Sequence, residues 1–289
     1  MRNLKMTTKL RELLETEEIL IAPSAYDALS AKIIEKTGFK AIGTTGYGMS
    51  ASLLGKPDVG LLTMTEVVDQ CKRIANAVNV PVMADADTGY GNPINVIRSV
   101  KEFEKAGIAG IYIEDQVWPK KCGYIKGKRV IDLEEGMTKI KAALEARDDP
   151  DFLIVARTDA DVISTEEVIK RGNAYAKVGA DLVKPQPHSM EELTACAKQI
   201  NKPLHIGTGR LGRFSPSVKE LTEIGNVKVV TFPTTPLFAA TKAMMDFLQV
   251  VKRTGTIDEY AERLLKFDDF TDFIGLPEIY ALEEKYKTV

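Results

Sequence analysis

The chain has 289 residues, 44% hydrophobic and 28% charged, with a formal net charge of −2. That length holds one large α/β domain or two smaller ones, and the composition is that of an ordinary globular protein. The charge balance offers no basic face for nucleic acid, and no apolar run approaches the roughly 20 residues that span a bilayer.

The N-terminal MRNLKMTTKLRELLETEE has an amphipathic helix pattern without an apolar signal core, so a cytoplasmic location is expected. Short β-branched apolar runs follow: ILIAPS (19–24), KAIGTTG (40–46), VPVMADAD (80–87), GIYIED (110–115), FLIVARTD (152–159), LVKPQP (182–187), PLHIGTG (203–209) and VKVVTFP (227–233). Between them lie segments with an apolar period near 3.6, such as 64–78 and 93–107. Gly38, Gly107 and Gly179 stand where helices should end. Strands alternating with helices predict parallel pairing through right-handed crossovers, and eight such units predict a (β/α)₈ TIM-type barrel. The alternative, an open doubly wound sheet, would want a G-x-G-x-x-G after the first strand, and none is present. No linker or composition break divides the chain, so a single barrel domain over 1–289 is expected, with a helical extension from about 235 to 289. That extension is apolar-rich. It reads equally as a surface packed on another subunit or as a tail folded back across its own barrel.

Polar residues gather at the strand ends, where a barrel of this kind has its mouth. They include Thr45, Gly46 and Tyr47, then Asp85 and Asp87, Glu114 and Asp115, Arg157 and Asp159, Lys184 and Gln186, and His205 and Thr208. The D-A-D alternation places Asp85 and Asp87 on one strand face. Two like charges so close repel unless a cation lies between them, and hard oxygen ligands suit Mg²⁺. Glu114 on the adjacent strand extends the set. Asp58 lies on a long loop after the second strand that shows no helical pattern. Arg157 ends a buried strand; it is expected either to pair with Asp159 or Asp115 or to grip a substrate carboxylate. The segment 118–131, WPKKCGYIKGKRVI, reads as a mobile loop able to close over the mouth. Lys120, Lys121 and Lys126 are expected to lower the pKa of Cys122 there, whereas Cys71 and Cys196 fall inside helical patterns and read as apolar filler. The three cysteines form neither a disulfide framework nor a C-x-x-C metal site.

DADTGYGNP, GIYIEDQ and PKKCG, in that order, resemble the isocitrate lyase/phosphoenolpyruvate mutase superfamily over roughly 10–250. The resemblance implies a helix-swapped barrel, a homotetramer, and Mg²⁺ or Mn²⁺ holding an α-keto or enolate carboxylate. It implies that Asp85 and Asp87 hold the metal, with Asp58 and Glu114 reaching it partly through water. Thr45, Gly46 and Tyr47 match the loop that holds a pyruvyl group, and Arg157 matches a carboxylate-binding arginine. Cys122 matches the acid of the lyase branch (methylisocitrate or dimethylmalate lyase-like), where mutases lack a cysteine. The chain departs from the pattern at Tyr124, where lyases have histidine, at Gln186, where methylisocitrate-type lyases have glutamate, and along LHIGTGRLGRFSP. In that last stretch Arg210 and Arg213 are extra positive charges near the distal end of a substrate.

The expected function is a Mg²⁺-dependent carbon–carbon lyase acting on a 2-hydroxy di- or tricarboxylate, with Cys122 and Arg157 catalytic. Thr45, Gly46, Tyr47, Arg157, Gln186 and Arg210 would contact the substrate. The alternatives within the resemblance are oxaloacetate hydrolysis or decarboxylation and phosphonate mutase or hydrolase chemistry. A non-catalytic ligand-binding barrel is the alternative from another class.

Overall fold

All eight apolar runs form strands in the computed structural model, which describes residues 4–209 and 212–287. They are β1 (Leu20–Ile21) and β2 (Ser24–Ala25), then β3 (Ile42–Thr44), β4 (Val82–Asp85), β5 (Gly110–Glu114), β6 (Leu153–Arg157), β7 (Leu182–Lys184), β8 (Leu204–Gly207) and β9 (Val227–Thr231). The first run yields two short strands because Pro23 has no N–H to give the ladder. Its first half pairs with β9, Leu20 opposite Val229, and its second half pairs with β3, Ser24 opposite Gly43. Bonds from Ala22 N to Val230 O (2.8 Å) and from Gly43 N to Pro23 O (3.0 Å) carry the pairing through the break. One run of chain is thus shared by the last and the third strand, every pairing is parallel, and the sheet closes into the (β/α)₈ barrel the alternation predicts.

Inside the barrel, Leu20, Ala22, Ala41, Met83, Ala109, Leu153, Val155, Leu182 and Val229 pack as one cluster. Leu10 of α1 (Met6–Thr16) joins them, with Leu13 and Leu14 alongside, so the N-terminal helix plugs the amino end of the barrel. The outer faces of the strands are covered by α2 (Ala28–Lys36), α4 (Met64–Asn76), α5 (Pro93–Lys105), α6 (Leu133–Ala146), α7 (Thr165–Val178), α8 (Met190–Gln199) and α9 (Val218–Ile224). Capping boxes start α2, α4, α5 and α9 at Asp27, Thr63, Asn92 and Ser217.

One helix was not legible in the sequence. The loop expected to run without helical pattern to Asp58 contains α3 (Gly46–Leu54), capped by the Thr45 hydroxyl accepting from Gly48 N at 3.2 Å. Its glycines and serines hide the period, but Gly55 ends it at φ +62° as a left-handed cap should.

The chain divides into two compact units, Met1–Pro236 with the barrel and Leu237–Val289. The second corresponds to the stretch expected as an extension of a single domain. It carries most of α10 (Thr235–Thr254), then α11 (Phe267–Ile274) and α12 (Leu276–Tyr286). Within it the Tyr260 hydroxyl donates to Ala243 O at 3.1 Å, and its ring meets Phe247 at 5.6 Å. Met244, Met245, Leu248, Leu265 and Phe267 are all exposed. Among the described residues no helix is long and apolar enough to cross a membrane.

Candidate active site

Strand alternation builds the site. On the inner face an apolar residue is followed two positions later by a polar one: Met83 by Asp85, Tyr112 by Glu114, Val155 by Arg157, Leu182 by Lys184, Val229 by Thr231. The interior therefore turns from apolar to polar at the carboxyl ends of the strands. Asp85, Arg157, Lys184 and Thr231, with Asp58, Thr45, Tyr47, Cys122, Tyr124 and Gln186, line one cavity.

One wall is acidic. Asp58, Asp85, Asp87 and Glu114 are all buried. Asp85 and Asp87 are neighbours, but not by strand alternation: β4 stops at Asp85, and Asp87 has a left-handed backbone at φ +48°. Its amide donates to Asp85 Oδ1 at 3.2 Å, and this turn brings the second carboxylate back beside the first. Gly46 makes room for both. A Cβ there would stand 3.3 Å from Asp85 Oδ2 and from Asp87 Oδ1, while its amide donates to Asp85 Oδ2 at 3.3 Å. Lys120, 2% exposed, holds Asp58 Oδ1 at 2.6 Å and Asp87 Oδ1 at 2.7 Å. Burial opposes its charge, but Asp87, Asp58, Glu114 and Asp85 together raise its pKa well above the usual lysine value. Sequence reasoning gave Lys120 to the cysteine and missed this role.

The wall remains short of positive charge. Burial pushes Asp87 up to about 6 despite Lys120. Burial also lifts Glu114 well above the carboxylate range despite Arg157, and its Oε1 is buried without a hydrogen-bond partner. Hard oxygen donors with an uncompensated buried oxygen suit a divalent cation. Among the described residues, no three side chains of the metal-binding types meet on one point. The ammonium of Lys120 lies between two of the carboxylates instead.

Arg157 is paired twice, with Glu114 Oε2 at 2.8 Å and with Asp159 Oδ2 at 2.8 Å. Glu114 is the partner not foreseen. Asp115, the other expected partner, instead accepts from Thr158 Oγ1 (2.8 Å), Asp159 N (2.8 Å), Tyr175 OH (2.9 Å) and Arg171 Nη1 (3.1 Å). It thereby fixes Asp159, whose carboxylate also takes Lys128 at 2.9 Å.

The loop over the mouth is tied at several points. Gln116 bonds Lys121 through both its amide atoms, and Lys128 reaches Asp159 and Asp161. Cys122 N donates to Asp58 O at 3.0 Å, which sets the thiol against the acidic wall. The expected activation of Cys122 is not found. Desolvation pushes its thiol up to about 11, outweighing the Tyr124 backbone bond, Arg157 and Lys120, which act in the lowering direction. Lys120 is engaged with the carboxylates, and Lys121 Nζ donates to Lys126 O in an exposed position. Cys122 is thus a buried, protonated thiol facing the cavity. Cys71 and Cys196 are buried in helices, as expected of filler.

Gln186, Tyr124 and Lys184 also line the cavity. His205, fully buried, meets Lys184 Nζ at 3.3 Å and Thr231 Oγ1 at 3.0 Å. His188 is half exposed just ahead of α8, and its Nε2 pairs with Asp161 at 2.9 Å. Arg210 lies outside the described residues, and Arg213 is exposed and does not line the cavity.

The family model described as phosphoenolpyruvate phosphomutase matches residues 10–252. The 2,3-dimethylmalate lyase of Eubacterium barkeri is 44% identical over 287 residues, covering 97% of this chain and 98% of the relative. The 2-methylisocitrate lyase of Aeropyrum pernix is 40% identical over 269 residues, 92% of this chain and 86% of the relative. Among solved structures, phosphonopyruvate hydrolase in complex with oxalate and Mg²⁺ superimposes with a TM-score of 0.89 at 28% identity, covering 99% of this chain and 100% of that one. The chain belongs to the phosphoenolpyruvate mutase/isocitrate lyase superfamily and is a carbon–carbon lyase.

Proposed function

We propose that this lyase requires a divalent cation, Mg²⁺ or Mn²⁺, and cleaves a 2-hydroxy di- or tricarboxylate of the 2,3-dimethylmalate or 2-methylisocitrate type to an α-keto acid and a second carboxylate. The observation that carries the reading is one cavity lined by Asp58, Asp85 and the buried Cys122, with Lys120 tying Asp58 to the neighbouring Asp87. The two lyase relatives support the substrate class, and the Mg²⁺–oxalate complex of a structural neighbour supports the cation. Asp85 and Asp87 would hold the cation, with Asp58 and Glu114 reaching it directly or through water. When bound it supplies Lewis acidity to the 2-hydroxycarboxylate end of the substrate.

The chain's own groups do the rest. Thr45, Gly46 and Tyr47, at the amino end of α3, orient the same end, where helix N–H groups favour an anion. Transfer of the 2-hydroxyl proton to a base lets the C2–C3 bond open: its electrons leave with the second fragment as a carboxylate-stabilised carbanion, and C2 becomes the keto carbon. Arg157 stabilises charge on that fragment. Cys122 gives its S–H proton to the carbon. Its burial within the loop, at 8% exposure, would keep water from a carbanion that water would otherwise quench unselectively.

The proposal extends to a cytoplasmic homotetramer with swapped helices, for which the exposed apolar residues of Leu237–Val289 give the rationale. The test is a panel of 2-hydroxy diacids and triacids with Mg²⁺, reading α-keto acid release, with oxaloacetate and phosphonopyruvate alongside. Turnover confined to oxaloacetate or the phosphonate would replace this reading by hydrolase or mutase chemistry. No turnover with any member would favour a ligand-binding barrel.

A further inference from the structure

The segment over the mouth is tied off at its neck. Gln116 pairs antiparallel with Val130, Val117 N donates to Arg129 O at 2.8 Å, and Ile131 N donates to Asp115 O at 2.9 Å. Within the neck, Cys122 lies on the outgoing arm and Lys128 on the returning arm. The outgoing arm is held by Cys122 N on Asp58 O, and a turn follows, closed by Ile125 N on Cys122 O at 2.8 Å. The returning arm is held by the buried Lys128 ammonium. It donates to Asp159 Oδ1 at 2.9 Å and to the two oxygens of Asp161 at 2.9 and 3.0 Å.

Asp159 is fully buried, and two cations share it. Besides Lys128, Arg157 Nη2 donates to Oδ1 at 3.0 Å, and Arg157 Nε lies 2.8 Å from Oδ2. The Asp159 amide donates to Asp115 Oδ1 at 2.8 Å, which fixes its backbone independently of the loop. Gly123 rests on the same pair. A Cβ there would stand 2.8 Å from Arg157 Nη2 and 3.3 Å from Asp159 Oδ1. The glycine serves close approach and not a left-handed turn, since its φ lies outside that region. The residue next to the thiol therefore packs on the Arg157–Asp159 pair, and Lys128 ties the arm beyond it to the same carboxylate.

Building on the lyase reading above, we infer that Lys128 is a positioning residue of the reaction: its bond to Asp159 locks the loop onto the carboxylate that orients Arg157, and so holds Cys122 and Gly123 against the guanidinium. Lys128 does not line the cavity and acts through Asp159. The thiol and the guanidinium are thereby set by one shared anchor. Arg157 steadies the departing fragment and Cys122 protonates it, so their spacing governs how fast the carbanion is quenched. An ammonium suits the anchor, because a charge-assisted bond to a buried carboxylate is among the stronger ones a side chain makes.

The test compares the wild-type chain with Lys128→Met, Lys128→Arg, Gly123→Ala and, as a control, Lys126→Met, which removes an exposed lysine of the same loop. Iodoacetamide labelling of Cys122 in folded, EDTA-treated protein at pH 8 reports how often the loop lifts, and it needs no substrate. Losing a charge-assisted bond shifts such an opening equilibrium roughly 10- to 150-fold. Lys128→Met should speed labelling by that factor, and should lower kcat about 10- to 100-fold with a smaller change in KM. Lys128→Arg keeps a cationic donor and should restore most of the protection and of kcat. Gly123→Ala leaves Lys128 and Asp159 in place but overpacks the seat; it should speed labelling about tenfold or more with Tm near that of the wild type, and it decides the matter if Lys128→Met does not fold. Unchanged labelling in Lys128→Met, with only a lower Tm, would make Lys128 a structural residue and overturn the inference. So would faster labelling with unchanged kcat, full protection of Cys122 in Gly123→Ala, or an equal effect of Lys126→Met. A wild-type chain that turns over no 2-hydroxy acid overturns the lyase reading and this inference with it, whereas wild-type turnover with unaltered variants overturns this inference alone.

Discussion

Alkylation of Cys122 in the metal-free protein should behave as that of a thiol that stays protonated far into the alkaline range. The reacting species is the thiolate. At pH 8 a thiol at its ordinary 9.0 is about one-tenth thiolate, and one at about 11 is about one-thousandth, a factor of about 100 in rate before access is considered. Only 8% of the residue is exposed, which slows it further. The assay is iodoacetamide labelling of EDTA-treated protein from pH 7 to 10, with Cys122 followed by peptide mass mapping and the denatured chain as the ordinary-thiol control. The expected result is a rate at least about 100-fold below the control at pH 8, rising tenfold per pH unit with no plateau below pH 10. A plateau below pH 9, or a rate at pH 8 equal to that of the denatured chain, would refute the desolvation argument. It would restore the activation by Lys120, Lys121 and Lys126 that their sequence positions suggest. The outcome bears on chemistry, because a proton donor must hold its proton at working pH.

Cys122→Ser should cut turnover by about 10²- to 10⁴-fold, the usual worth of general acid catalysis, and leave Mg²⁺ binding nearly intact, with Cys71→Ser as the packing control; equal activity would remove Cys122 as the acid. Asp85→Ala and Asp87→Ala should each abolish turnover while circular dichroism shows an intact barrel, and full turnover of the wild type after exhaustive chelation would contradict the metal reading. Asp87 is raised from 3.8 to about 6, so its contribution to stability is complete below about pH 3.8 and is lost as pH rises through about 6; added Mg²⁺ should therefore raise Tm more at pH 7.5 than at pH 5, and an equal rise at both would count against it. Asp115→Asn removes the charge from a carboxylate that accepts four hydrogen bonds and should cost about 3 kcal/mol in denaturant unfolding; a loss under 1 kcal/mol would show that Asp159 is held without it.

The barrel was legible because its signal is periodic. Each strand is a short buried run and each helix has a 3.6 period, so the eight runs fall on strands even where Pro23 splits one. The α3 helix was not, since GYGMSASLL carries too few large apolar residues to show a stripe. The carboxylates were legible as residue types, and the grouping of Asp85 with Asp87 was read, but through alternation; the actual cause is a left-handed turn at Asp87. Partnerships across the fold were out of reach. Nothing local says that Lys120 turns to Asp58 and Asp87, 62 and 33 residues away by their numbering, and not to its neighbour Cys122. The thiol prediction failed for the same reason: adjacent lysines count as charges in a sequence, whereas burial is a property of the folded loop. Lys184 was visible at a strand end, but its pairing with His205 needs the register of β7 and β8.

The apolar cluster that fills the barrel, with α1 packed on its amino end, puts the cavity at the carboxyl ends of the strands. On the proposed cleavage, two fragments form there from one molecule, and a fragment held nearer the apolar floor would leave after the one nearer the mouth. Product departure is then ordered by depth. Under steady-state inhibition, only the last fragment out competes with substrate for the empty enzyme, and the first gives a noncompetitive pattern.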